Sequence, residues 1–208
     1  KNPLTPMKLS VQHLQMAAKA KVGDLDDRIK RTTETLVNQI DALSNIASAF
    51  SSFASLRAQK QSKINLIPPI QDALQLYTTQ AKIEFVKEIL LEEALVLGDR
   101  DQLLSVFNNL IKNAIQAKDE RKEELLINII IKEEGSSYLI EIADNGKGID
   151  NLQQERIFEP SFTTKSSGSG LGLSISKRII ENMQGKISFH STENVGTTFT
   201  ILLPKAKD

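Results

Sequence analysis

The chain has no cysteine, which excludes disulfides and thiolate-held metal and fits a reducing compartment. Two histidines in 208 residues argue against a histidine-rich metal centre. Neither sign of charge prevails: 26 basic and 26 acidic residues sum to zero, so no global electrostatic case exists for nucleic acid or an anionic membrane. No apolar run approaches the roughly 18 residues of a membrane span, and no signal peptide is visible. The P-loop string G-x-x-x-x-G-K-S/T is missing too, which removes the common NTPase fold as far as motifs allow. The length allows one or two domains with a sizeable core. Because the chain opens at Lys1, in mid-motif, it is expected to be part of a longer protein.

What is present divides near residue 60. Before that point there is no strand alternation and a single glycine, Gly23. Leu4, Met7, Val11, Leu14 and Ala18 step by three and four, a heptad spacing. A turn follows at Gly23 to Asp27, and the pattern resumes at Ile29, Thr33, Leu36, Ile40, Leu43, Ala47, Phe50 and Ala54. This predicts two long antiparallel helices over 1–60. Phe50, Phe53 and Leu56 widen the apolar stripe beyond what one hairpin covers. Pairing two hairpins into a four-helix bundle would bury it, which predicts a homodimer; packing on the chain's own second domain is the alternative.

Residues 61–208 read as a second domain, an α+β sandwich with helices on one face of a largely antiparallel sheet. Pro68-Pro69 opens a helix with Ile70, Ala73, Leu74 and Tyr77 inward. Ile83 to Ile89 and Ala94 to Leu97 read as strands, and Asp99 caps a helix to about Ala117. Leu125 to Lys132 and Tyr138 to Asp144 form a strand pair around Gly135. A helix from about Gly170 to Met183 precedes two final strands, Lys186 to Ser191 and Thr197 to Leu203.

Four segments of this domain carry chemistry. Tyr138, Ile140, Ile142 and Asp144 share one strand face, so the carboxylate ends an apolar row where an adenine amine could donate to it. Gly146 and Gly148 let the backbone turn sharply beside a ligand. Asn109 and Asn113 stand one helical turn apart at the border of their helix's apolar stripe, and amide oxygens there suit the octahedral shell of Mg²⁺. From Glu159 to Ser169 the chain is turn-forming, a lid with Phe158 and Phe162 as hinge anchors and Lys165 within reach of phosphate. Gly168, Gly170 and Gly172 open a helix whose N–H groups can hold phosphate. Each segment also has a plain reading: a turn, solvated asparagines, a loop lysine, a flexible connector. Order and spacing together favour an ATP site.

In that order, N-N-L-I-K-N-A (Asn108 to Ala114), D-N-G-K-G (Asp144 to Gly148), F-E-P-S-F-T-T-K (Phe158 to Lys165) and G-S-G-L-G-L (Gly168 to Leu173) resemble the N box, the Asp-containing glycine box, the F box and the second glycine box of the GHKL ATPases. Gly196-Thr197-Thr198-Phe199 resembles their last glycine-rich element. The resemblance implies a GHKL (Bergerat) fold, with ATP and Mg²⁺ as cofactors. It gives Asn113 the metal, Asn109 a catalytic place near the phosphates, and Asp144 the adenine amine. Gly146, Gly148, Phe158, Phe162, Thr164, Lys165, Gly168, Gly170, Leu171, Gly172 and Thr198 would line the nucleotide. Lys1-Asn2-Pro3-Leu4-Thr5-Pro6 resembles the tail of the histidine-kinase phosphoacceptor box H-E-x-K-N-P-L-x-P. The acceptor would lie three residues before Lys1, and His13 and His190 are out of register for it. Asn2 corresponds to the residue that aligns water for dephosphorylation of the response regulator. The helix ending in S-S-F-A-S-L resembles kinases of the nitrogen-regulation type. Gln116 departs from the lysine many members carry three residues after the metal asparagine. The resemblance therefore implies a cytoplasmic sensor kinase core that autophosphorylates a histidine and passes the group to a response-regulator receiver domain. It would also act as a phosphatase, and would reach a membrane only through an upstream segment. Another GHKL ATPase, or a non-catalytic scaffold for a response regulator, are the rivals.

Overall fold

A computed structural model describes residues 9–12, 15–16, 29–37, 40, 61–78, 83–163 and 170–207. The motif at 1–6 with Asn2, His13, the turn at 23–27, Phe50, Phe53, Leu56, Thr164, Lys165 and Gly168 lie outside the described residues. Near the N-terminus, residues 9–12, 15–16, 29–37 and 40 are helical. Leu9, Val11, Met16, Ile29, Val37 and Ile40 stand 40–61% exposed on these segments.

The rest builds from short sequence signals. Strand β1 (Ser62–Asn65) pairs antiparallel with β3 (Leu95–Gly98). Between them come helix α1 (Ile67–Gln75) and strand β2 (Ile83–Ile89). Prolines sit in the first turn of α1, where an N–H has no helical acceptor to lose. Asn65 replaces a cap: its Oδ1 accepts from Ile67 N at 3.1 Å and from Ala94 N at 3.1 Å. Helix α2 (Arg100–Gln116) starts at Asp99, whose carboxylate accepts from Gln102 N at 2.9 Å. Its stripe of Leu103, Val106, Phe107, Leu110, Ile111 and Ala114 is buried, as i, i+3, i+4 spacing requires.

Strands β4 (Leu125–Glu134) and β5 (Ser137–Asp144) form a hairpin whose turn uses Gly135 at φ +58°. Then come the one-turn helix α3 (Asn151–Gln154), helix α4 (Gly172–Asn182), and strands β6 (Lys186–Thr192) and β7 (Gly196–Pro204). The large sheet has order β2-β4-β5-β7-β6, with β2 parallel to β4 and the other pairs antiparallel. Ile127, Ile129 and Ile131 lie opposite Asp144, Ile142 and Ile140, and Phe199, Ile201 and Leu203 continue those rows. These apolar rows are buried together with the inner sides of α1, α2 and α4 in one core. Each fully buried isoleucine contributes about 1.5–3 kcal/mol. The two layers match the expected α+β sandwich, with one parallel pairing in the sheet.

Two strands depart from expectation. Leu95–Gly98 does not join the large sheet but pairs with β1, and β1 itself was not foreseen. A bridge from Val96 to Lys205, and Ala206 N donating to Leu95 O at 2.8 Å, stitch the end of β7 to the other edge of β3. Helix α4 begins at Gly172 rather than Gly170, because Gly170 has φ +68°, which no helical residue adopts.

Candidate nucleotide site

The site occupies the corner where β5 ends, β7 begins and α2 finishes. Register puts Asp144 opposite Ile127 on one side and Thr197 on the other. Its carboxylate Oδ1 accepts from Gly146 N at 2.8 Å. Burial pushes the Asp144 carboxyl up to about 6, against the opposing pull of the Gly146 and Thr197 backbone N–H groups and the Lys122 charge. An acid so placed keeps two backbone donors, and an exocyclic amine would add a third.

Asn113 reaches the same corner through the backbone. Its carbonyl accepts from Ala117 N at 3.0 Å, and the Ala117 carbonyl accepts from Lys147 N at 2.8 Å, inside the Gly146–Gly148 loop. A Cβ on Gly146 would strike that same Ala117 carbonyl and the Asp144 carboxylate. One turn earlier, Asn109 Nδ2 donates to the buried Ser176 Oγ at 3.0 Å, and its amide lies against Gly172 with no room for a Cβ. The first turn of α4 thus rests on the asparagine face of α2, and no side chain caps that helix N-terminus. Asn108 points elsewhere: its Oδ1 accepts from the Tyr77 hydroxyl at 2.6 Å, bracing α1 against α2. Its place in the motif is structural.

Gly148 has φ +69°, and a Cβ there would strike the Thr192 carbonyl. At the base of the lid segment Ser161 N donates to Gly170 O at 3.0 Å, and Gly170 packs on the backbone of Ser161 and Phe162. Phe158 meets Phe189 edge-on with centroids 5.9 Å apart, and the Arg156 guanidinium lies 4.7 Å from the Phe162 ring centre. Both rings are half-buried. Leu171 occupies the position before α4, between Gly170 and Gly172.

Thr198 is a correction. It pairs with Ala143, so by strand alternation it faces away from Asp144. Thr197 is the threonine on the site's face; its Oγ1 lies 2.9 Å from Ser191 Oγ, which also accepts from Ile149 N at 2.9 Å. Sequence reasoning missed Thr197 by one residue and missed Ser191, Asn145 and Lys122 altogether. Asn145 Oδ1 accepts from Leu126 N at 2.9 Å, holding the loop to β4. The Asn in D-N-G was the available signal for that bond.

Among the described residues no group of three or more His, Cys, Asp or Glu could hold a metal, so a divalent ion would depend on an amide oxygen, phosphate oxygens and water.

Residues 98–207 match the family model described as histidine kinase-, DNA gyrase B-, and HSP90-like ATPase. Over 207 residues the chain is 33% identical to signal transduction histidine-protein kinase AtoS of Escherichia coli (strain K12), covering 98% of this chain and 33% of that protein. It is 31% identical over 209 residues to sensor histidine kinase ZraS of the same strain, covering 98% and 43%. The chain therefore spans less than half the length of these curated relatives. The solved catalytic domain of histidine kinase ThkA, nucleotide-free, matches at TM-score 0.62 and 33% identity over 71% of this chain and 97% of that one. ThkA in complex with response regulator protein TrrA matches at TM-score 0.71 and 25% identity, over 99% of this chain and 58% of that one. More than half of the residues fall inside the family model, on this sheet and around this corner. The chain belongs to the histidine kinase-, DNA gyrase B-, and HSP90-like ATPase family.

Proposed function

We propose that this chain is the kinase core of a two-component sensor: residues 61–208 bind Mg-ATP, and 1–60 form the dimerising phosphotransfer hairpin. The observation that carries the nucleotide reading is the meeting of Asp144, the Gly146–Gly148 loop and the Asn109–Asn113 face of α2 at one corner. The kinase reading is supported by relatives and neighbours that are histidine kinases, one of them seated on a response regulator. The phosphoryl group would pass from ATP to a histidine upstream of Lys1 and then to an aspartate of a receiver domain. Asn2 would serve the reverse, dephosphorylating activity.

Asp144 would accept the adenine amine at the end of its buried apolar row. Asn113 would hold Mg²⁺ and Asn109 would stay near the phosphates, oriented by Ser176. When bound, the ion neutralises phosphate charge during transfer. Gln116 brings no cation to the phosphates, so Lys165 would share that task. Catalysis by these residues is mainly positioning. No helix among the described residues is long and apolar enough to cross a membrane.

Calorimetric titration tests the site. Wild type is expected to bind Mg-ATP, and Asn113→Ala to bind it about tenfold more weakly, with the difference vanishing in EDTA. Equal loss with and without the ion would remove Asn113 from the metal. A parent chain that includes the residues before Lys1 should take label from γ-labelled ATP as an acid-labile, base-stable adduct. Nucleotide binding without any such adduct would favour a scaffold.

A further inference from the structure

Behind the Asp144–Gly148 loop lies a polar network whose charged side chains, Asp119, Arg121 and Lys122, belong to none of the motifs. Asp119, in the α2–β4 connection, is 7% exposed although charged. Its Oδ1 accepts from Arg121 N at 3.0 Å and Arg121 Nε at 2.8 Å, and its Oδ2 from Arg121 Nη2 at 2.7 Å. These Arg121 bonds hold the Asp119 carboxyl down at about 2, so the pair stays ionised at any working pH. Arg121 Nη2 also donates to Asn194 Oδ1 at 2.6 Å, across to the β6–β7 turn. Asn194, held at φ +62°, donates its own N–H to Lys147 O at 2.7 Å. Lys147 N returns to Ala117 O at 2.8 Å, closing a ring from α2 through the loop and back.

Lys122 spans the ring. Its Nζ donates to Asn145 O, the residue after Asp144, and to Val195 O at 3.1 Å, the residue before Gly196. One ammonium therefore ties the exit of β5 to the entry of β7, and those are the strand ends that carry Asp144 and Thr197. The Gly196 Cα lies so close to the Asp144 carbonyl that no Cβ would fit between them. A small shift of either strand end would move the carboxylate itself.

We propose that Lys122, with Asp119, Arg121 and Asn194 behind it, is a positioning clamp that sets where Asp144 stands and thereby how tightly the site holds a nucleotide. The clamp touches no ligand. It rests on the nucleotide reading above for its effect, but not for its existence. Burial of a charged residue among loops is otherwise costly. Here every polar atom of the carboxylate is satisfied by a single guanidinium, in a geometry that also fixes the opposite turn.

The test uses three variants of the whole chain: Lys122→Met, Lys122→Arg and Asn194→Gly. Glycine keeps the positive φ at 194 and removes only the side-chain acceptor, so this variant is expected to fold even if Lys122→Met does not. Two measurements are made: amide hydrogen exchange at Gly146 and Lys147 without nucleotide, and titration with Mg-ATP. Faster exchange at both amides is expected in Lys122→Met and Asn194→Gly. Affinity should fall about tenfold in Lys122→Met, with most of it restored in Lys122→Arg, and the unfolding midpoint should move little. Unchanged exchange overturns the clamp. Faster exchange with wild-type affinity overturns its role in positioning. If wild type binds no Mg-ATP while exchange still rises, the nucleotide reading fails and the link to affinity falls with it.

Discussion

Asp144→Asn should weaken nucleotide binding about a hundredfold or more and, at the same time, make the empty domain more stable at pH 7.5. The two effects share one cause. Burial raises the Asp144 carboxyl from 3.8 to about 6, so ionising it costs more in the folded state than in the unfolded chain. Below pH 4 both states carry the proton and the penalty is absent. Between pH 4 and 6 the unfolded chain loses its proton first, so stability falls as pH rises. Above 6 the full penalty is present. Asparagine removes it while its Oδ1 can still accept from Gly146 N. A gain of about 1–3 kcal/mol is expected at pH 7.5 and none at pH 3.5. The asparagine amide would then present a donor to the donor of the purine, and affinity should drop about a hundredfold or more. Thermal unfolding at both pH values, beside a Mg-ATP titration, measures each half. A variant that binds normally, or that is less stable at pH 7.5, would contradict the assignment of the carboxyl as a desolvated acceptor.

The second large effect is in the backbone. Gly148→Ala should destabilise the domain by about 3 kcal/mol, a fall in the unfolding midpoint of roughly 6–12 °C. Part of that loss is the left-handed φ of +69°, which costs an alanine about 1 kcal/mol. The larger part is the clash of the new Cβ with the Thr192 carbonyl, a backbone atom in a ladder that cannot yield. Gly135 is the matched control. It too has a positive φ, +58°, but nothing lies within 4 Å of its Cβ direction. Gly135→Ala should therefore cost only the conformational share. Equal losses at the two positions would mean that close packing at 148 contributes nothing.

Much of this was legible in the chain. The alternation from Tyr138 to Asp144 placed the acid on the inner face, and the structure puts it there. Asp99 marked the start of α2 because its capping chemistry is local. The asparagine pair was found by helical spacing, and Asn109 does meet the first turn of α4. Misses came where the partner is distant. Ser62–Asn65 has four residues and no apolar alternation, and it is a strand only because Leu95–Gly98 lies beside it. Thr198 was named with the resemblance, whereas the alternation of Thr197 with Phe199, Ile201 and Leu203 puts Thr197 on the inward face. The clamp joins residues 119–122 to 145 and 194–195, a contact that no local pattern announces.

Strand β3 has a topological consequence. Val96 has Ile64 on one edge and Lys205 on the other, so the first and last strands of the α/β unit flank a common neighbour. Two interstrand steps amount to on the order of 10 Å. A short peptide of a few glycines could join those points, and the covalent chain could be reopened at the exposed Gly135–Ser136 turn without cutting a rung of the sheet. The unit's order of elements along the chain is thus separable from its shape, and a domain rewired in this way should still fold.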